Sequence, residues 1–357
     1  MGFLKKILVI ELWGIGDVVL ATGVLRALRK NYPSAKINIL AKEHAKTILS
    51  SSNIVDKFII YDFPWTKFRG KYCFWKWDWI GLFRLIKRLR SEKFDLVLDA
   101  RGDVRNNLLV FFTGAKRRVG YNWTGGGFLL TDVVKVEKNK LHRIDAWGYL
   151  LRYLGLSSVD AKPAIDIPQE EKKWADDFLR NKGINKANLL VGVHPGAGIK
   201  TRCWPLRRFV DIAAYLRQKG VQVVFFIEPG GYGDDIRLPE GCLKIKVCLC
   251  KYMAIVKDLD FLICNDGGAM HIATAVGTPV VAIFGPMEQE WFGPYGEDNV
   301  VIMKDNVSCR PCSDYCKHKE PYCLTGITEE QVIKQVDGVI DRIRKEKNGA
   351  IGTEVIH

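Results

Sequence analysis

Asn265-Asp266-Gly267-Gly268-Ala269-Met270-His271 stands between an apolar strand-like run, Phe261 to Cys264, and a small-residue helical run, Ile272 to Val276. A strand that ends in a glycine turn and opens a helix directs unpaired backbone N–H groups and the positive dipole end at whatever docks there. Phosphate is the natural guest of such a turn. On its C-terminal side, Pro279 to Phe284 reads as the next strand and runs into Gly285-Pro286. On its N-terminal side, Leu189 to Val193 is a strand ending in His194-Pro195-Gly196-Ala197-Gly198, and Arg207 to Gln218 carries Phe209, Ile212, Ala213 and Leu216 at helical spacing. Val221 to Ile227 is a further strand, followed by Glu228-Pro229-Gly230-Gly231-Tyr232-Gly233. Short β-branched runs alternating with helices argue for an α/β fold built on a parallel sheet.

The same alternation fills the N-terminal half. Ile7 to Ile10 leads through Gly14-Ile15-Gly16-Asp17 into a helix from Val18 to Lys30, closed by Asn31-Tyr32-Pro33, and Lys36 to Leu40 completes a βαβ unit. Phe94 to Asp99 reads as a strand, and Val104 to Phe112 and Ile144 to Leu154 as helices. From Ser157 to Pro168 the chain turns polar and proline-containing, as a linker does. The expected organisation is therefore two Rossmann-like halves, residues 1–165 and 166–345, with a basic tail at 346–357.

A chain of 357 residues is long for a single core, and 48% hydrophobic content describes a globular protein. No apolar run approaches the roughly 18 residues of a membrane span. Lys5-Lys6 precedes only a short apolar run before Glu11, too short for a secretory core, so a cytoplasmic location is expected. A net charge of +14 implies an anionic partner: nucleic acid, an acidic membrane surface or a phosphorylated substrate. The ten cysteines do not form a secreted disulfide framework, and Cys248, Cys250 and Cys264 lie in apolar contexts where a thiol acts as a small buried hydrophobe.

Gly14-Ile15-Gly16-Asp17, His194-Pro195-Gly196-Ala197, Arg202-Cys203-Trp204-Pro205, the turn at Asn265 to His271 and Phe284-Gly285-Pro286 occur in this order and spacing. In this the chain resembles glycosyltransferase family nine, the ADP-heptose:lipopolysaccharide heptosyltransferases, from about residue 5 to about residue 330. The resemblance implies a GT-B fold: two Rossmann-like domains facing across a cleft, the N-terminal one holding the acceptor and the C-terminal one the nucleotide sugar. It also implies an inverting transferase that moves heptose from ADP-heptose to the anionic inner core of lipopolysaccharide, peripheral at the inner membrane surface, with no cofactor required for catalysis.

Such a transfer needs a base for the acceptor hydroxyl and groups that stabilise the departing diphosphate. Asp17, in a glycine-flanked loop at the carboxyl end of the first strand, fits the base; the same residue type also caps helices. By resemblance Asp17 matches the family's base. For the leaving group, Arg202 occupies the place where the family typically carries Lys, two residues before the Trp-Pro pair, and Lys200 is close enough in sequence to share the role. Gly196 and the backbone of Gly267, Gly268 and Ala269 suit the diphosphate, and Asp266 suits the turn or the sugar hydroxyls. His271 suits either the pyrophosphate or the packing of its helix, and Glu228 suits a ribose hydroxyl or a plain turn. On the acceptor side, Gly16 lies beside Asp17, and Arg101, Arg105 and Arg118 are cations suited to carboxylates and phosphates.

Two stretches stand apart. Phe63 to Trp79 interleaves Trp65, Phe68, Tyr72, Phe74, Trp75, Trp77 and Trp79 with Lys67, Arg69, Lys71 and Lys76. Three readings fit: contact with a membrane interface, packing on the domain, and stacking on single-stranded nucleic acid. No recognised nucleic-acid module accompanies it. Cys309, Cys312, Cys316 and Cys323 have the spacing C-x2-C-x3-C-x6-C, where only the first interval is a common zinc-knuckle spacing, so a structural zinc and packed thiols are both open. The competing functional readings are a transferase for another nucleotide sugar and a non-catalytic binder of acidic glycolipid or nucleic acid.

Overall fold

The computed structural model describes residues 4–67, 72–137, 141–156, 161–228, 233–312 and 315–353, the side chains of 349–353 excepted. Phe68, Arg69 and Lys71 of the aromatic stretch, Pro229 to Tyr232, Ser157 to Asp160 of the linker and the end of the tail lie outside the described residues. The chain divides into two compact units, Met1–Asp166 and Ile167–His357.

The first unit holds strands β1 (Lys6–Glu11), β2 (Lys36–Ala41), β3 (Lys57–Ile60), β4 (Leu96–Asp99), β5 (Arg117–Gly120) and β6 (Asp132–Val133). The second holds β7 (Leu190–His194), β8 (Gln222–Phe226), β9 (Cys242–Ile245), β10 (Phe261–Asn265), β11 (Val280–Phe284) and β12 (Val300–Met303). Each unit forms one six-stranded sheet, ordered β3-β2-β1-β4-β5-β6 and β12-β11-β10-β7-β8-β9. All pairs are parallel, so the two sheets share one topology, with the first strand of each unit at the centre. Helices cover both faces of such a sheet, which is why its central strands read as continuous apolar runs: Ile7, Leu8 and Val9, and Phe261, Leu262 and Ile263, are fully buried.

The expected single helix after Gly14-Ile15-Gly16-Asp17 is two, Ile15–Leu20 and Thr22–Asn31, joined at Ala21. Their apolar spacing reads as one continuous helix, and a neighbouring segment packs at the break. The Thr22 hydroxyl donates to Val19 O (2.7 Å) and accepts from the Ala164 N–H (2.9 Å). A side chain at Gly23 would collide with the Ala161 carbonyl, 2.0 Å from where its Cβ would stand. The last helix, Glu329–Thr353, runs through most of the stretch read as a separate tail. Cys264 is buried as expected, but two cysteine assignments change: Cys248 is exposed and caps the helix Leu249–Lys257, and Cys250, in that helix, is half-buried, because β9 ends at Ile245 and the alternation beyond it is not strand.

Candidate active site

In an open parallel sheet the ligand crevice lies outside the carboxyl ends of the strands, where the strand order reverses. In the first unit that place is between β1 and β4, whose register sets Ile10 opposite Asp99. The residues that follow these strands meet there. An Arg101 Nη1 lies 3.3 Å from Asp17 Oδ1, and its guanidinium covers the Trp13 ring at 4.4 Å. The other Asp17 oxygen accepts the Gly14 N–H at 3.2 Å. The helix-capping role and the place beside a cation therefore coexist, one carboxylate oxygen for each.

Sequence reasoning missed three charged neighbours, Glu11, Asp99 and Arg143, all buried. Asp99 accepts from Asn106 Nδ2 (2.7 Å) and from the N–H groups of Arg101 (3.1 Å) and Gly102 (3.2 Å), which fixes the loop that carries Arg101. Burial pushes its carboxyl up to about 6 against those hydrogen bonds. Burial, then the Asp17 charge, push the Glu11 carboxyl up to about 8, so Glu11 keeps its proton at neutral pH. His44, beside the backbone of Gly14, is held below its ordinary value by burial and by Lys42. Glu11 and Asp99 are 4% and 0% exposed, whereas the Asp17 side chain is 18% exposed. Of these three carboxyl groups, Asp17 is the one a substrate can reach.

Glu11 carries a stability prediction. Its folded pKa lies above its ordinary value of 4.5, so the native state holds a proton that the unfolded chain releases, and stability is lost as pH rises from about 4.5 to about 8. Glu11→Gln removes this loss and keeps an acceptor for the Trp13 N–H. Thermal or urea unfolding is expected to show little change at pH 4.5 and a gain on the order of 3 kcal/mol by pH 7.5. A gain independent of pH would show that Glu11 is ionised in the fold.

Gly16 lies in the first helical turn with Asp17. The other two expected acceptor cations are engaged locally: Arg105 pairs with Asp103 (2.8 and 2.6 Å), and Arg118 donates to the carbonyls of Leu129 (2.9 Å) and Ala115 (2.8 Å). Arg101 is the one that the fold brings to Asp17.

In the second unit the order reverses between β7 and β10. Asn265, buried at the end of β10, joins the loops there: its Nδ2 donates to Pro195 O (2.7 Å) and its Oδ1 accepts the Trp204 N–H (2.9 Å). Trp204 is fully buried and donates to Ile327 O at 3.0 Å, which anchors the turn Lys200–Arg202. Arg202 is thereby held with Nη1 at 3.8 Å from Asp266 Oδ2 and Nη2 at 3.3 Å from Met287 Sδ. Lys200 is exposed and makes no ion pair among the described residues. Gly267 is extended, and a Cβ there would meet nothing within 4 Å, so the approach to the N–H groups opening the helix Gly268–Val276 is open. Ala269 is in the first turn of that helix, and His271 is buried one turn in, among its packing residues.

At Gly196 a Cβ would fall 2.3 Å from Glu228 Oε1, so the absence of a side chain lets that carboxyl lie against the loop after β7. Burial raises Glu228 above the usual carboxylate range. His194, at the end of β7, is pushed down to about 4 by burial and is neutral at pH 7. The arrangement offers a diphosphate a cation, a helix N-terminus and a glycine turn at one sheet edge.

Cys309, Cys312, Cys316 and Cys323 line one small cavity. Burial and the other three thiols push Cys323 up to about 11, against the pull of Arg310. Among the described residues no group of three or more His, Cys, Asp or Glu side chains is arranged to hold a metal ion as it stands.

Comparison with known proteins gives these observations a family. Residues 82–323 match glycosyltransferase family 9 (heptosyltransferase). The chain is 25% identical to the lipopolysaccharide core heptosyltransferase of Haemophilus influenzae, over 93% of this chain and 96% of that one. Among solved structures it superposes on a family 9 glycosyl transferase from Veillonella parvula with a TM-score of 0.78 and 24% identity, covering 95% of this chain and 98% of the other. The Escherichia coli ADP-heptose lipopolysaccharide heptosyltransferase II gives a TM-score of 0.70 at 20% identity, covering 96% and 100%. The paired Rossmann-like units are thus a GT-B fold. With two thirds of its length matching the family and its glycine turns at both strand-order reversals, the chain belongs to glycosyltransferase family 9, the heptosyltransferase family, and is a glycosyltransferase.

Proposed function

We propose that this enzyme transfers heptose from ADP-heptose to the inner core of lipopolysaccharide, with inversion at the anomeric carbon. The observation that carries the donor side is Arg202 held beside the turn at Asp266 and Gly267, where a helix N-terminus opens. The second unit binds the nucleotide sugar and the first the acceptor. Asp17 takes the proton of the acceptor hydroxyl; the oxygen attacks the anomeric carbon while the bond to the diphosphate breaks. Arg202 and the N–H groups of Gly268 and Ala269 stabilise the charge arriving on ADP, and Lys200 adds long-range attraction. Glu228 meets a ribose hydroxyl, and Arg101 turns from Asp17 toward an acceptor anion. None of these steps calls on a metal. The test is transfer from ADP-heptose to heptose-free lipopolysaccharide with chelator present: product of inverted configuration supports the reading, and preference for a different nucleotide sugar in direct competition overturns the donor.

The enzyme acts on a lipid-anchored acceptor, and its surface suits that. No helix among the described residues is long and apolar enough to cross a membrane. The aromatic stretch divides: Phe63 and Trp65 are buried in the core, whereas Phe74, Trp75 and Trp79 are exposed. Exposure continues along the helix Trp79–Ser91, whose Leu85 and Leu89 face inward while Ile80 (66%) and Phe83 (69%) face solvent. Ile80, Phe83, Arg84 and Lys87 follow helical spacing on that outer face, so an apolar end runs into a basic one. An anionic bilayer is the partner that takes both. Flotation with phosphatidylglycerol vesicles is expected to carry the protein, phosphatidylcholine vesicles to carry at least about tenfold less, and I80S/F83S to lose binding with transfer to a soluble acceptor analogue intact. Equal flotation of the double variant would remove the patch from this role.

A further inference from the structure

The segment between β12 and the short helix Tyr322–Thr325, residues 304–321, is the longest stretch of the second unit without strand or helix among the described residues. Tyr315, Lys317, His318, Lys319 and Glu320 are exposed, so it brings little apolar surface of its own to hold it in place. Long connections of this kind, and segments too small for a core, are commonly held by cross-links or metals. Three cysteines of this one, Cys309, Cys312 and Cys316, line a cavity together with Cys323 of the following helix. Their cavity is about 10 Å3, the scale of a single water or ion.

We propose that Cys309, Cys312, Cys316 and Cys323 form a tetrathiolate site for one soft metal ion, zinc or iron. All-thiolate tetrahedra are the chemistry of these two metals, and four sulfurs near 2.3 Å from a common centre fit a cavity of this scale. The Cys309 sulfur now stands 3.7 Å from the Tyr322 hydroxyl, and among the described residues no three of the thiols are yet set around one centre. Binding replaces that contact and releases the four thiol protons to solvent. The cavity wall also includes Thr201, whose buried Oγ1 has no hydrogen-bond partner among the described residues and suits donation to a metal-bound thiolate.

The position of the site gives it a role. Arg310 donates to Gly285 O (2.9 Å) and Lys304 O (3.2 Å), and the Cys312 N–H donates to Pro286 O (3.2 Å), so the loop is seated on the turn after β11. Thr201 comes from the turn that carries Arg202, and Met287, one residue after Pro286, receives the Arg202 contact. The metal would thus clamp the two turns that orient Arg202. This consequence rests on the donor reading above; the metal itself does not.

The test begins with metal analysis of the full chain purified under reducing conditions without chelator. About one zinc or iron per chain is expected, with a thiolate-to-iron visible absorption separating iron from zinc. Replacement by Co2+ should give sulfur-to-cobalt charge transfer and the ligand-field bands of a tetrahedral site. Cys316→Ser and Cys309→Ser should each lose that signature, while Cys73→Ser, in the other unit, keeps it. Metal-depleted enzyme should show a donor KM raised several-fold with kcat much less changed. Absence of bound metal and of the cobalt bands in the reduced protein, retention of both in the two variants, or a disulfide among the four cysteines in the native protein would overturn the site. Metal present with an unchanged donor KM would overturn the clamp and leave the site and the transferase standing.

Discussion

Asp17→Asn is expected to lower kcat for sugar transfer by about 10^2–10^4-fold with the donor KM nearly unchanged, the loss of a general base acting in the transition state alone. The amide keeps the shape of the carboxylate and an oxygen to accept the Gly14 N–H, so the helix Ile15–Leu20 still starts in place. It removes the charge beside Arg101 and the ability to take a proton. Because Asp17 is one of the causes that raise Glu11, the Glu11 pKa should fall in this variant. Asp17→Ala separates the two roles of the residue. If Asp17 were a helix cap only, Asn would keep activity and Ala would cost about 1 kcal/mol of stability with activity following the folded fraction. If it is the base, both variants lose the chemical step, and only Ala is also less stable. Transfer by Asp17→Asn at the wild-type rate would remove Asp17 from catalysis.

How far the sequence carries to this site depends on what kind of signal each residue leaves. The turn at Asn265 to Gly268 is legible because glycines mark the end of β10 and the start of a helix, and the strand runs are legible because burial on both faces requires continuous apolar residues. Glu11 and Asp99 leave no such mark. Each is a single acid at the end of a strand, as many solvated caps are, and what joins them to Asp17 is the parallel register that sets Ile10 opposite Asp99 across 89 positions of sequence. The break at Ala21 is equally silent: it depends on the Ala161 to Ala164 segment crossing Gly23 and taking the Thr22 hydroxyl. Arg118 shows the converse. A cation near a strand read as acceptor-facing, but two carbonyls claim its guanidinium, and a charge count cannot reveal local hydrogen bonding. Arg202 was legible as a departure from the family's Lys; that it, rather than the exposed Lys200, reaches the turn follows from Trp204 being buried two residues on.

Arg202→Ala should reduce kcat/KM for the donor by about 10^2–10^3-fold, the usual effect of deleting one preorganised group aimed at the charge that develops on a leaving group. Arg202 Nη1 stands 3.8 Å from Asp266 Oδ2, beyond a hydrogen bond. A carboxylate at that distance steadies the guanidinium electrostatically, and a planar fork beside the glycine turn matches the geometry of neighbouring phosphate oxygens. Arg202→Lys should keep activity within about tenfold, since a point charge in the same place supplies most of the attraction though not the bidentate geometry. Lys200→Ala should cost less than Arg202→Ala. A structural explanation of the Arg202→Ala loss is open to direct test. Asp266 is 3% exposed on its side chain, so removing its cationic neighbour leaves a buried charge less compensated and costs about 1–2 kcal/mol of stability. Adding Asp266→Asn to Arg202→Ala removes that charge and should restore stability while transfer and ADP affinity stay low. If the double variant recovers transfer together with stability, Arg202 serves the fold of the turn, and the charge that receives the leaving diphosphate must be sought elsewhere on the same sheet edge.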